Sequence, residues 1–330
     1  MNNFAHRLCV APMMDWTDRH CRYFLRLVSA RSRLYTEMIT TGALMFGNVP
    51  RHLDFDPAEH PMGLQLGGSD PQALAHCARL GEAWGYDEIN LNVGCPSERV
   101  QTGSFGACLM ADPVLVAECV RAIRDAIGLP VTVKHRIGID AIEEYGFVRD
   151  FVGTVAEAGA TAFLVHARNA ILKGLSPKEN REVPPLKYDY VHRLKRDFPN
   201  VTIVINGGIA SHEVIAEELQ HVDGVMLGRA GYHNPYLLAE AEAYAFGEPA
   251  HRRTRAEIVH ALVPYVEAQL SQGVSLRAIA RHVLGLYHGA SGARAWRRIL
   301  SDASQLDRGD PEVFLLALRE VEPVAVPDTA

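Results

Sequence analysis

The stretch EINLNVGCPSERVQTGSFGACLMADPVLVAECVRAIRDAIGLPVTVKHRIG, residues 88–138, decides how the chain folds. It opens on a short apolar run, EINL, which leads into a tight Gly-Cys-Pro corner. A helix-like segment follows, and its start is marked twice. Asp112 suits an N-cap and Pro113 suits the first helical position. The β-rich run VTVKHRIG closes the stretch. Strand, amphipathic helix and strand together read as a parallel βαβ unit. The thiol at the corner, Cys95, raises a chemical question. It can be a disulfide partner, a metal ligand, a nucleophile, an acid or a small buried residue.

The same alternation runs outward in both directions. RLCVAP (7–12), LYTEMI (34–39) and MGLQLGG (62–68) precede the stretch as further strands. TAFLVHAR (161–168), VTIVINGGI (201–209) and DGVMLGRA (223–230) follow it. The helix after residue 68 has the same Asp-Pro opening, at Asp70 and Pro71. Eight βα units over about 240 residues predict an α/β chain folded as a (β/α)8 TIM barrel, whose usual length is ~250 residues. An open doubly wound sheet is the alternative, but G-x-G-x-x-G at a strand-to-helix turn is absent. The barrel is assigned to 1–246. EPAHRRTR reads as a linker, and helix-like segments at 254–270, 276–288, 293–303 and 311–320 predict a small C-terminal helical domain over 247–322. The tail, 323–330, is expected to be disordered.

Composition narrows the function. The chain has 330 residues, 48% apolar and 22% charged, as globular proteins do. Its net charge of -6 is uneven. Residues 251–300 hold eight Arg and two Glu, with no Lys or Asp, which puts +6 there and -12 on the rest. A basic segment on an acidic body suggests a local polyanion contact. No signal peptide or membrane-spanning run is evident, and the six cysteines show no zinc or iron–sulfur spacing. The expectation is a cytoplasmic protein with no structural metal and no obligatory protein partner.

Chemistry in such barrels sits at the C-terminal ends of the strands. There the chain places Pro12, Met13 and Met14, then Gln65, then Asn92 and Cys95, then Lys134, then His166 and Arg168. Asn206, Gly207 and Gly208 end the seventh strand, and Gly228 and Arg229 the eighth. Two glycine turns on neighbouring strands, one followed by Arg, favour a phosphate. Lys134 points away from the face of Val131 and Val133, into the barrel. A lysine there needs an anion, such as a reduced flavin, or serves as a Schiff-base amine. His166 is a candidate donor to the flavin ring, Gln65 and Asn92 to a pyrimidine edge. Met13 and Met14 are expected to floor the site.

At this point the residues carry a resemblance. APMMDWTDRHCR, LQLGG, EINLNVGCPSERV, GSFGACLM, TVKHRIGID, VHARNA, NGGI and MLGRA look like the tRNA-dihydrouridine synthases. GLSPKENREVPPL and GRAGYHNPYLL resemble their A subfamily. The resemblance implies FMN bound by Pro12, Met13, Met14, Gln65, Lys134, His166, Asn206, Gly207, Gly208, Gly228 and Arg229. It implies NADPH as reductant, and Cys95 as the proton donor to uracil C5 while C6 takes a hydride. The substrate implied is tRNA, at D-loop uridines 20 and 20a. A protonated thiol suits that donor role, and QTGSFGACLM could be a flap over it. Asn92 is then a candidate contact to an extruded base. In GARAWRRIL, helical spacing puts Arg294, Arg297 and Arg298 opposite Ala293, Trp296, Ile299 and Leu300. Those arginines, with Arg168, Lys173, Lys178 and Arg181 at the rim, are the expected tRNA contacts. A small-molecule FMN barrel and a non-catalytic RNA-binding module are the rival readings.

Overall fold

A computed structural model describes residues 5–247 and 252–322. Residues 248–251 of the expected linker, and the expected disordered tail at 323–330, lie outside the described residues. The strands are β1 (Leu8–Val10), β2 (Leu34–Tyr35), β3 (Ile39–Thr40), β4 (Met62–Gly67), β5 (Glu88–Val93), β6 (Val131–Arg136), β7 (Ala162–His166), β8 (Thr202–Asn206) and β9 (Gly224–Leu227). They form one parallel sheet in the order β1-β9-β8-β7-β6-β5-β4-β2. Arg33 completes the ring, because its carbonyl accepts from Val10 N at 2.9 Å and its N–H donates to Leu8 O at 2.9 Å. The chain is therefore a (β/α)8 TIM barrel followed by C-terminal helices.

Two departures from the sequence reading have local causes. The run 34–39 is not one strand but two, β2 and β3, each paired with β4. Between them the Thr36 hydroxyl accepts from Gln65 N at 3.0 Å and donates to Glu37 O at 2.7 Å, so a side chain occupies the place of a ladder bond. The expected helices 276–288 and 293–303 end early, as Leu276–Val283 and Ala293–Leu300. Gly285 follows the first, and a Cβ there would lie 2.4 Å from His233 O, so the chain turns closely over that carbonyl. After the second, Asp302 caps a separate short helix, Ala303–Leu306, by accepting from Ser304 N. The two Asp-Pro openings fold as read, with Asp70 accepting from Ala73 N and Asp112 from Leu115 N.

Strand alternation sorts the residues into two layers. Ile89, Leu91, Val131 and Val133 face the surrounding helices within the large apolar core. Cys9, Ala11, Tyr35, Leu164, Val204 and Met226 form a second apolar cluster inside the ring. The opposite side of the interior, on β4, β5 and β6, is polar. In register there lie Gln65, Asn90 and Thr132, and next to them Asn92 and Lys134. Barrel interiors are usually filled by branched apolar side chains, so this polar side calls for an account.

The C-terminal helices dock on the barrel's first helix, Arg19–Val28. Tyr23 stacks on Tyr265 with ring centres 3.7 Å apart, and His20 Nδ1 lies 2.8 Å from Tyr265 Oη. Asp18, which caps that helix, also meets Arg281 at 2.8 Å and His282 at 3.0 Å. Burial works against ionisation of Asp18, but the bonds from His282, Cys21 N and Arg281 outweigh it and hold its carboxyl well below the usual range. Trp16 stacks on Tyr232, whose hydroxyl meets His282 Nδ1 at 3.1 Å. Phe24 and Leu25 of the barrel share one apolar core with Ile258, Leu262 and Trp296 of the helices.

Candidate active site

Cys95 leaves β5 in a turn held from three directions. The Asn92 carboxamide oxygen accepts from Gly94 N at 3.1 Å and from Cys95 N at 3.0 Å. Arg136 donates to Gly94 O at 3.2 Å, and also to Asn169 O and Asn180 O, which ties the turn to the loop after β7. Cys95 O accepts from Ala107 N at 2.9 Å. That last contact requires glycine at 106. Its φ is +79°, and a Cβ there would lie 2.6 Å from Cys95 O. The second half of the expected flap is thus packed down, as the turn Gly106–Ala111 with Ala107, Leu109 and Met110 buried. Cys95 itself is half-buried, and all six cysteines are free. Cys108 lies in the packed turn with its thiol on Phe105 O at 3.1 Å.

Beside the turn, positive charge converges. Lys134 Nζ reaches across to Asn206 Oδ1 at 3.2 Å. Burial, and then Arg136, lower its ammonium from 10.5 to about 7, against a small opposing effect of Cys95. Burial, then Arg136 and Lys134, push His166 well below its ordinary value, so its imidazole is neutral at neutral pH. His166 Nδ1 is buried without a hydrogen-bond partner. Asn206 is oriented by donating to Met226 O at 2.8 Å. A buried lone nitrogen and a lysine that holds its proton weakly mark a place built for a polar, anionic ligand.

The turn after β8 is a cradle. Gly207 and Gly208 have φ of +101° and +74°, and Tyr188 Oη donates to Gly207 O at 2.7 Å. A Cβ on Gly207 would come 3.2 Å from the His166 ring, and one on Gly208 2.6 Å from Tyr188 Oη. Gly228 differs. Its φ is −102°, and a Cβ would meet nothing nearer than Ala11 at 3.9 Å, so the glycine leaves open space rather than relieving strain.

The remaining candidates divide. Pro12 and Met13 are half-buried at the end of β1, whereas Met14 is 57% exposed, so Met13 alone packs against the barrel core. Arg229 is paired with Glu182 and also donates to Arg181 O, and Arg168 donates to Glu182 O and Pro184 O. Both arginines therefore gather the loop after β7, on which Lys173, Lys178 and Arg181 are exposed. Arg294, Arg297 and Arg298 are carried on their helix over buried Trp296, Ile299 and Leu300. All three are exposed, opposite that buried face. Arg294 and Arg297 line one surface hollow, while Arg298 lines another that it shares with Asp302 and Glu320. Arg136 is not among the residues singled out from the sequence, although its parity with Thr132 and Lys134 in VTVKHR places it on the inner face.

A thiol-bearing turn, a glycine cradle and converging cations at the C-terminal mouth of a parallel barrel define a TIM-barrel enzyme site. Residues 9–322 match the family described as "Dihydrouridine synthase (Dus)", and the chain belongs to that family. Among similar curated proteins, the tRNA-dihydrouridine(20/20a) synthase of Salmonella typhimurium is 56% identical over 318 residues, covering 96% of each chain. The protein of that name from Escherichia coli K12 is 55% identical over 320 residues, 97% of this chain and 92% of its own. That of Pseudomonas syringae is 58% identical over 297 residues, 90% of this chain and 88% of its own.

Proposed function

We propose that this chain reduces uridine to 5,6-dihydrouridine in tRNA, at D-loop positions 20 and 20a, with FMN bound in the barrel, NADPH as reductant and Cys95 as proton donor. Family membership and near full-length similarity to tRNA-dihydrouridine(20/20a) synthases support the substrate. The observation that carries the chemistry is the Cys95 turn, held rigidly beside Lys134, Arg136 and a neutral His166.

The residues present fit FMN. The unpartnered His166 Nδ1, the Lys134 ammonium and the Gln65 carboxamide would face its ring, with Asn206 holding Lys134. Gly207, Gly208 and the open space at Gly228 would receive its phosphate, with Arg229 nearby, and Pro12 and Met13 would pack against it. Bound FMN supplies a hydride. The chain's own residues do the rest. Cys95 would deliver a proton from Sγ to uracil C5. The packed turn at 106–111 holds the Cys95 backbone through the bond from Ala107 N to Cys95 O. The base must leave the folded tRNA to reach the thiol, and the exposed Lys173, Lys178 and Arg181, with the arginine helix, would hold phosphates while it does.

The purified full chain should be yellow, with about one FMN per chain. After reduction by NADPH under anaerobic conditions, unmodified tRNA should reoxidise it and acquire dihydrouridine at 20 and 20a. A colourless protein that takes up no added FMN would overturn the reading.

Lys134 supplies a second test. Its folded value is lowered to about 7 without a ligand. An anionic ligand raises that value, so binding takes up a proton. FMN affinity should then be highest below about pH 7 and fall as pH rises, by up to about tenfold per unit. Lys134→Met should bind FMN more weakly and flatten that profile. Fluorescence titration of flavin-free protein between about pH 6 and 9, in ~0.5-unit steps, reads this directly. A wild-type profile already flat would sink the assignment of Lys134 to the flavin.

A further inference from the structure

The polar side of the barrel interior is one continuous hydrogen-bonded ladder from floor to mouth. At the floor Glu88 is fully buried, and its Oε2 meets His6 Nε2 at 2.7 Å and Arg33 Nη1 at 3.0 Å. Its Oε1 accepts from Thr132 Oγ1 at 2.8 Å. Thr132 Oγ1 accepts from Asn90 Nδ2 at 2.8 Å, and Asn90 Oδ1 from Gln65 Nε2 at 2.7 Å. Gln65 Oε1 accepts from Asn92 Nδ2 at 2.9 Å. Asn92 Oδ1 ends the ladder on the backbone N–H groups of Gly94 and Cys95.

Both ends dictate the same polarity. Burial opposes ionisation of Glu88, yet His6 and Arg33 outweigh it and bring its carboxyl down to about 2, so Glu88 only accepts. Thr132 must therefore donate to it and accept from Asn90. At the other end two backbone N–H groups only donate, so Asn92 must turn its oxygen to them and its nitrogen to Gln65. No single carboxamide can flip without setting like groups face to face. Gln65 and Asn92 each keep one further N–H, and the ladder decides where that N–H lies.

Stability alone does not call for such a ladder. Branched apolar side chains fill this layer in most barrels, and replacing buried polar groups by apolar ones is often neutral or stabilising. What the ladder adds is orientation, delivered to the turn that carries the thiol.

We propose that Glu88, Thr132 and Asn90 are positioning residues for the reaction, fixing through Gln65 and Asn92 both the donor pattern of the mouth and the set of the Cys95 turn. The role at the mouth rests on the proposed function; the hold on Cys95 does not.

Thr132→Val keeps the shape and removes the hydroxyl, and Thr132→Ser keeps the hydroxyl. Two readouts are made on the full chain. In flavin-free protein carrying Cys108→Ala, which leaves Cys95 as the one cysteine that is not buried, alkylation by iodoacetamide is timed. Thr132→Val should raise that rate by about threefold or more as the turn loosens, and Thr132→Ser should match wild type. In the FMN-loaded protein, kcat for unmodified tRNA should fall by about tenfold in Thr132→Val with KM for tRNA unchanged, and recover in Thr132→Ser. Should Thr132→Val not fold, Thr132→Ala is held to the same outcomes. Wild-type alkylation and kcat in the hydroxyl-less variant would overturn the proposal, as would equal damage in Thr132→Ser. A wild-type protein that tRNA does not reoxidise would instead overturn the proposed function, and the alkylation contrast would still judge the ladder.

Discussion

Cys95→Ala is expected to slow reoxidation of the reduced flavin by unmodified tRNA by about 10²–10⁴, the usual worth of a general acid. Flavin content, reduction by NADPH and tRNA affinity should stay near wild type. The structure explains why the loss should be so selective. The turn is held through the backbone of residue 95, by its N–H on Asn92 and its carbonyl on Ala107, and alanine keeps both bonds. Cys95→Ser should be nearly as poor, because a hydroxyl is a much weaker acid than a thiol. Cys108→Ala should be milder, since Cys108 sits within the packed turn with its thiol on a carbonyl. Anaerobic rapid mixing of reduced enzyme with unmodified tRNA separates these steps. Wild-type reoxidation in Cys95→Ala would move the proton to another group and leave Cys95 a small turn residue.

The second large effect concerns affinity. The combined variant Arg294→Ala, Arg297→Ala and Arg298→Ala should bind tRNA more weakly by about 10² near physiological salt, with the flavin spectrum unchanged. For each phosphate deprived of its arginine, the slope of log K against log salt should also fall by roughly 0.7–0.9. The three contributions should be unequal. Arg294 and Arg297 share a hollow without a carboxylate, whereas Arg298 shares its hollow with Asp302 and Glu320, which repel a phosphate. Single substitutions at 294 and 297 should therefore cost more than one at 298. Binding isotherms across a salt series measure both quantities, and an unchanged slope in the triple variant would return this helix to an ordinary solvated face.

Much of this architecture is legible in the chain because its signals are local. Asp-Pro openings mark helix starts, and strand alternation sets Lys134 apart from Val131 and Val133. What escapes such a reading depends on distant partners. LYTEMI has the composition of one strand, and the bonds of the Thr36 hydroxyl, from Gln65 N and to Glu37 O, lie where it divides. EINL reads as an apolar run, and that reading passes over its two polar residues. Closure of the ring turns Glu88 and Asn90 inward, where both are fully buried and find partners only on other strands. At the strand ends Arg229 reads as a phosphate contact and Arg168 as a tRNA contact. Their bonds to the loop at 181–184 become visible only when the ends of the strands are brought together beneath that loop. Asn92 reads as a contact to the base, and its oxygen proves to be committed to the cysteine turn.

The seam around Asp18, Arg281, His282 and the Tyr23–Tyr265 stack fastens the helices 255–271 and 276–283 to the barrel's first helix, and Trp296 of the arginine helix donates to Val283 O at 3.0 Å. On the proposed function this makes the molecule a caliper. One jaw grips phosphates and the other carries the thiol, and the span between them is set by side chains that touch neither jaw.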